Sequence, residues 1–319
     1  MNMLKRRIDI HSHYFPPAYK ELLRRHGMDV LDGVKAPEWS LERQFEYMDR
    51  LNISFAALSI SSPHLHLGDR AEAVETARAC NEYGSALAES YPDRFAALAS
   101  LPLPEIGGSI EEIRYCREKL NIRGFALLSN YSGEYLGSAK FEPVMEELNR
   151  CPTLITIHPT VPHVSGAENA APELPAPVME YFFETTRTVA DMLLHGTVRK
   201  YPNLRFVVPH GGAFITILSD RLIPLAGMLL PDRDLDIAGD LRRLYYDLAG
   251  FSMPKQFGLL RTITDGSHLL YGSDSPFTAL PMCVKLAEQM DAKLGELSEQ
   301  VYEKNPSALL TECGIMLAD

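Results

Sequence analysis

Ile8-Asp9-Ile10-His11-Ser12-His13 is a short β-branched run that closes on two histidines separated by one residue. Successive residues of a strand point to opposite faces, so His11 and His13 project from the same face, at the C-terminal end of a strand expected over Arg6–His11. Two neutral imidazoles side by side are half of a divalent metal site. An H-x-H pair can also be incidental, and the chain carries a second one, His64-Leu65-His66, in a polar stretch.

Further apolar runs follow at regular intervals. Strands are expected over Ile53–Ile60, Phe95–Leu101, Ile122–Leu128, Thr153–His158, Leu204–His210, Leu244–Ala249 and His268–Asp274. Amphipathic stretches separate them. The clearest runs from Gly68 to Tyr91, where Val74, Ala77, Cys80, Gly84, Leu87 and Tyr91 recur at helical spacing; others cover Ile110–Leu120, Phe141–Leu148 and Val178–Val198. Eight strand–helix units in 319 residues predict a (β/α)8 TIM barrel, here one domain over residues 1–319. The Pro- and Gly-containing segment of about 14–52 reads as a small insertion after strand 1, and Pro159–Pro177 as a long loop. An open doubly wound sheet is the alternative, but neither G-x-G-x-x-G nor G-x-x-x-x-G-K occurs.

In a barrel the C-terminal ends of all strands ring one face. His158 ends one expected strand, His210-Gly211-Gly212 another, and Asp274 the last, so five residues spread from His11 to Asp274 converge. Each taken alone could be a core histidine or a capping aspartate. Convergence of all five points to a metal-dependent active site.

Composition narrows the partners. A net charge of −11 repels phosphate backbones and anionic lipid headgroups, which argues against nucleic acid and membrane surfaces. An anionic small substrate would need a local cationic centre. No apolar run has the length of a membrane span and no secretory signal is evident, so a cytoplasmic location is expected. Five scattered cysteines without C-x-x-C suggest buried thiols in a reducing compartment.

The set His11-Ser12-His13, Phe95-Ala96-Ala97-Leu98 with Leu101-Pro102, Ile157-His158-Pro159, Glu184-Thr185-Thr186, Pro209-His210-Gly211-Gly212-Ala213-Phe214, Tyr271-Gly272-Ser273-Asp274-Ser275-Pro276-Phe277 and Asn305 resembles the amidohydrolase superfamily. Within it, the chain is similar to the amidohydrolase-2, aminocarboxymuconate-semialdehyde decarboxylase-like family, which also contains resorcylate, salicylate-type and isoorotate decarboxylases. The resemblance spans nearly the whole chain. It implies one divalent ion per chain, zinc or alternatively manganese, on His11, His13, His158 and Asp274, with His210 beside it as the proton-handling residue and Asp274 also catalytic. Binuclear relatives use a lysine after strand four, and Asn121–Ala139 contains none. The resemblance further implies a homodimer or homotetramer in which Arg221 holds the substrate carboxylate, across a subunit boundary. Glu184 is the second candidate substrate-binding residue, and Lys35, before Trp39, is the nearest counterpart of the cation expected on the insertion. Gly211 and Gly212 would allow a sharp turn and leave room for a ligand beside His210.

The same parts serve two chemistries. A positive centre can hold a carboxylate while CO2 leaves and His210 supplies the proton, which makes the chain a decarboxylase of an aromatic or unsaturated carboxylic acid. Alternatively, they can aim water at a lactone, amide or keto-acid, as in a hydrolase or hydratase. A barrel that binds a ligand without turnover is the third reading; it leaves the proton-handling group unexplained.

Overall fold

A computed structural model describes residues 4–163 and 173–317. Part of the loop expected over Pro159–Pro177, residues 164–172, lies outside the described residues. Eight strands are joined by parallel pairings in chain order: β1 (Arg7–His13), β2 (Ile53–Ser59), β3 (Phe95–Ser100), β4 (Gly124–Leu128), β5 (Thr153–His158), β6 (Leu204–Val208), β7 (Tyr245–Asp247) and β8 (Leu269–Leu270). The first and last strands meet. Ser12 bridges Ser275 in parallel, and Ile10 N–H donates to the Tyr271 carbonyl (3.0 Å), Asp274 N–H to that of His11 (2.8 Å) and His13 N–H to that of Ser275 (2.7 Å). The sheet is therefore a nearly closed TIM barrel.

Helices return the chain between strands, and local chemistry sets where they start and stop. Helix α1 (Pro17–Arg25) lies on the insertion; α2 (Leu41–Leu51) begins at Ser40, whose hydroxyl accepts from Arg43 N–H, and ends at Asn52 with φ 52°. Helix α3 (Arg70–Ser90) begins at Asp69, whose carboxylate accepts from Glu72 N–H. Then come α4 (Ile106–Lys119), α5 (Glu142–Leu148), α6 (Glu180–Leu194), α7 (Ile215–Leu229), α8 (Leu280–Leu294) and α9 (Asn305–Glu312). The barrel interior is packed by Ile8, Ile10, Phe55, Ala57, Ala96, Leu98, Ala126, Leu154, Val207 and Leu270, with Leu309, Leu310 and Cys313 of the α9 region against it.

Strand ends differ from the sequence expectation in a way that matters to the site. The first runs on to His13, while the expected Leu204–His210, Leu244–Ala249 and His268–Asp274 stop at Val208, Asp247 and Leu270. His210 and Asp274 sit at φ 54° and 56°, outside the strand region, so each leaves the ladder on a sharp turn. In β1, Asp9 pairs with Ala56 but Ser12 with Leu58, so three steps oppose two. That extra residue changes the parity of the strand: Ile8 and Ile10 pack into the barrel, and beyond them His11 and His13 occupy its mouth.

The segment expected as an insertion over about 14–52 contains α1, a hairpin of Val30–Leu31 and Val34–Lys35, and α2, which is the crossover helix from β1 to β2. The hairpin leans over the C-terminal face, where Leu31 and Val34 reach the cavity described next.

Candidate metal centre

His11, His13, His158 and Asp274 each offer one donor atom, and the four atoms lie within 4.8 Å of one another. His11 Nε2 is 3.1 Å from His13 Nε2, and Asp274 Oδ1 is 3.4 Å from His13 Nε2 and 3.6 Å from His11 Nε2. The rings of His11 and His158 have centroids 5.6 Å apart, those of His13 and His158 4.8 Å. The five residues singled out in the sequence are thus assembled, with His210 beside the group of four; its ring lies 5.1 Å from that of His11.

The outer nitrogens decide what the inner ones can do. His11 Nδ1 is 2.9 Å from Asp247 Oδ2, His158 Nδ1 is 2.7 Å from the Pro159 carbonyl, and His13 Nδ1 is 3.2 Å from Ser59 Oγ. A carboxylate and a carbonyl can only accept, so His11 and His158 keep a proton on Nδ1, and it is Nε2 that turns inward, where a proton or a metal ion can sit. Ser59 Oγ points its proton toward the Ser12 carbonyl (3.4 Å), which leaves it to accept from His13 Nδ1. Three nitrogen lone pairs and a carboxylate facing one point form a set that repels itself without a cation at its middle. That donor chemistry fits a divalent metal, and three imidazoles with one carboxylate suit zinc and manganese alike.

The charges agree. Burial works against a proton on His11, but the carboxylates of Asp247, Asp274 and Asp9 outweigh it and lift its pKa to about 9. Burial, together with the neighbouring imidazoles, lowers that of His158 well below the histidine range; burial also lowers His13. Burial disfavours a charge on Asp274, yet the His13 hydrogen bond and the fields of His11 and His210 hold it below the ordinary carboxylate range. The cluster attracts one positive charge.

Asp247 escaped the sequence reading. Its Oδ2 receives His11 Nδ1–H, and its Oδ1 accepts the backbone N–H groups of His210 (3.0 Å) and Ala249 (3.1 Å). One carboxylate thereby fixes both a candidate metal donor and the turn that presents His210. The signal was available, for Asp247 is a lone acid inside the apolar run expected over Leu244–Ala249. Asp9 plays a similar part, accepting from His11 N–H (3.0 Å) and Ser273 N–H (3.1 Å) across the barrel seam; burial raises its pKa to about 7.

His210 stacks on Phe182 (centroids 5.9 Å apart, planes 20°), and its Nδ1 is buried with no hydrogen-bond partner among the described residues. Burial keeps its pKa below the histidine norm. Gly211 and Gly212 have φ of +63° and +76°, as a sharp turn requires. The expectation that they leave room for a ligand is not met, because a Cβ would meet the Gln256 side chain at 2.9 Å in one case and the Tyr246 ring at 3.0 Å in the other.

Glu184 is fully buried in α6, its carboxylate taken by Arg187 (2.6 Å), Asn130 (2.7 Å) and Tyr135 (3.1 Å), and it does not line the cavity. Arg221 is exposed on α7, outside the cavity of its own chain, and Lys35 is exposed on the hairpin. The cavity, about 360 Å³, opens above His158, His210 and Asp274. Its walls are mostly apolar, from Leu31, Val34, Val178, Phe182, Phe251 and Phe277, with Ser61, Ser62, Tyr181 and Thr278 as polar exceptions.

A family model described as amidohydrolase matches residues 8–311. The chain belongs to the amidohydrolase family. Among amidohydrolase relatives, it is 34% identical over 303 residues to the decarboxylase yanB of Aspergillus niger, covering 89% of this chain and 81% of that protein. It is 30% identical over 305 residues to the 6-methylsalicylic acid decarboxylase acuB of Aspergillus aculeatus, covering 92% of each. A crystal structure named for an amidohydrolase II superposes with a TM-score of 0.91 at 34% identity, over 96% of this chain and 100% of that one. A dihydroxybenzoic acid decarboxylase from a Polaromonas species, with bound manganese and the inhibitor 2-nitroresorcinol, shares the fold (TM-score 0.82, 18% identity, 99% of this chain and 100% of that one).

Proposed function

We propose that this chain is a metal-dependent carboxy-lyase that removes the carboxyl group of a hydroxylated aromatic acid as CO2. The observation that carries the reading is the placement of His210, with an unpartnered ring nitrogen, beside four converging metal donors at the floor of an apolar cavity of ring-accommodating size. The decarboxylase names of the relatives support it.

A divalent ion on His11, His13, His158 and Asp274, zinc in the first instance and manganese as the alternative, would supply a centre of net charge about +1 that attracts an anionic substrate and draws electrons from the bond to be broken. The protein does the rest. Phe182, Phe251 and Phe277 exclude water and hold an aromatic ring. The bond from ring carbon to carboxyl carbon breaks, its electron pair stays on the ring carbon, and CO2 leaves. His210 delivers the proton that forms the new C–H bond, and Asp247 holds its backbone in place for that transfer. Asp274, kept ionised by its neighbours, favours the protonated state of His210 as it forms.

Arg221 is read as serving a neighbouring subunit. Helix α7 leaves Ile217, Met228 and Leu229 61%, 65% and 68% exposed around it, an apolar face suited to a second copy in a homodimer or homotetramer. Nucleic acid and membranes are left out as partners on the strength of the net charge of −11, and no helix among the described residues is long and apolar enough to cross a membrane. Free cysteines accord with a cytoplasmic location.

Turnover of salicylate-type acids in D2O tests the reaction. CO2 release with deuterium at the carbon that bore the carboxyl group is expected. Incorporation of ¹⁸O from labelled water into the organic product, without CO2, would replace the decarboxylase with a hydrolase or hydratase.

A further inference from the structure

Two polar side chains, Ser62 and Tyr181, form one corner of the cavity wall, and Asp32 on the hairpin of the insertion anchors them from behind. Asp32, at the hairpin tip, accepts at Oδ2 from Ser62 Oγ–H (2.5 Å) and from Tyr181 O–H (2.5 Å); Ser62 Oγ is also 2.7 Å from Thr160 Oγ1. The tip is held from outside as well. Ala176 N–H donates to the Asp32 carbonyl (3.0 Å), and a Cβ on Gly33 would meet the Pro175 backbone at 3.0 Å. Asp32 itself does not line the cavity, whereas Ser62 and Tyr181 do, together with His158 and Asp274.

Proton counting gives this corner a polarity. A carboxylate only accepts, so Ser62 and Tyr181 each commit their single hydroxyl proton to Asp32. The Ser62–Thr160 bond must then be donated by Thr160. Any further hydrogen bond at Ser62 or Tyr181 must therefore be accepted, not donated. Nearly all the rest of the wall away from the metal donors is apolar.

We propose that Asp32, acting through Ser62 and Tyr181, makes this corner select an O–H donor on the substrate ring and refuse a second carboxylate. A hydroxyl finds two acceptors there. A methyl group of the same size finds contact but leaves them unpaired, and a carboxylate sets acceptor against acceptor close to the half-buried Asp32. Asp32 is thus a positioning residue that sets substrate class. The inference takes from the proposed function only that the ligand is a ring-bearing carboxylic acid.

The test is calorimetric binding to the metal-loaded protein of 2-hydroxybenzoates carrying hydroxyl, methyl or carboxylate at ring positions 4, 5 and 6 in turn. At one position the hydroxyl acid should bind about 10- to 100-fold more tightly than the methyl acid, with the dicarboxylate weakest. Asp32→Ala removes the one oxygen that takes both hydroxyl protons, leaving Ser62 and Tyr181 free to donate, so the hydroxyl-to-methyl ratio should fall about 10-fold or more and the dicarboxylate should gain affinity. Tyr181→Phe, which keeps the ring, should lower the same ratio without that gain. A merely structural hairpin contact would weaken all three ligands equally in Asp32→Ala. That result, no hydroxyl preference at any position in the wild type, or no binding by any acid, overturns the inference. CO2 release is measured separately: ratios that hold without CO2 sink the decarboxylase reading alone, and CO2 release with flat ratios sinks the inference alone.

Discussion

Asp247→Asn isolates one carboxylate's hold on the metal centre. The side chain keeps its shape, but one oxygen becomes an NH2 group. If the amide oxygen stays where Oδ1 accepts from His210 N–H and Ala249 N–H, the NH2 faces His11 Nδ1 at 2.9 Å. Nδ1 must then give up its proton to accept, the proton moves to Nε2, and the lone pair aimed at the metal is gone. If the amide flips, His11 keeps its tautomer, and two buried backbone donors face an NH2 group, at about 1–3 kcal/mol each. The protein settles in the cheaper arrangement. Replacing a charge-assisted bond of about 1.5–3 kcal/mol predicts a fall in metal affinity of about 10- to 100-fold. The assay is competition for zinc or manganese against a chromophoric chelator, with circular dichroism to verify that the barrel is intact. Unchanged metal affinity together with an unchanged Tm in the metal-free Asp247→Asn protein would exclude both arrangements and refute the tautomer reasoning, and with it the role given to His11 Nε2.

His210→Asn should leave metal content unchanged, since His210 is not among the four donors, and lower kcat by about 10²- to 10⁴-fold; loss of the metal in elemental analysis would move His210 into the donor set. Chelation should lower Tm by several degrees, because a metal present at about 100 times its Kd contributes about 2.7 kcal/mol, and restoring the ion should reverse the shift in a melting scan. Light scattering of the unaltered protein should give the proposed dimer or tetramer, and Met228→Glu with Leu229→Glu on α7 should give a 35.7 kDa monomer with activity reduced to the level of Arg221→Ala; full activity as a monomer would remove Arg221 from the site.

The strands were legible because a parallel sheet buried on both faces needs near-continuous apolar runs, as in Phe95–Ser100 and Leu204–Val208. The donors were legible because each interrupts or ends such a run. Asp247 does so too, but an acid after two tyrosines also reads as a helix cap, and nothing local says that it faces His11 two hundred residues earlier. The parity change in β1 is equally hidden, since only the register with β2 reveals the extra residue between Asp9 and Ser12. Glu184 shows the opposite failure. A glutamate in an apolar helix suggests a task at the site, and packing instead gives it to Arg187, Asn130 and Tyr135. Two-residue strands such as Val30–Leu31 have too little pattern to read, so the hairpin that carries Asp32 was visible only as a Gly- and Pro-containing stretch.

The seam where β1 meets the chain after β8 has a consequence for biosynthesis. His11 and His13 leave the ribosome first, and Asp274 follows more than 250 residues later. At a translation rate of about 5–20 residues per second, the nascent chain spends on the order of ten seconds or more with two exposed imidazoles and no carboxylate to complete the set. Any ion captured in that interval is held by a partial chelate and exchanges freely with the surrounding pool. The choice of the proposed metal would therefore be made after the barrel closes, by what the cell offers a finished site, and an expression host rich in a different ion would yield the same fold with a different occupant.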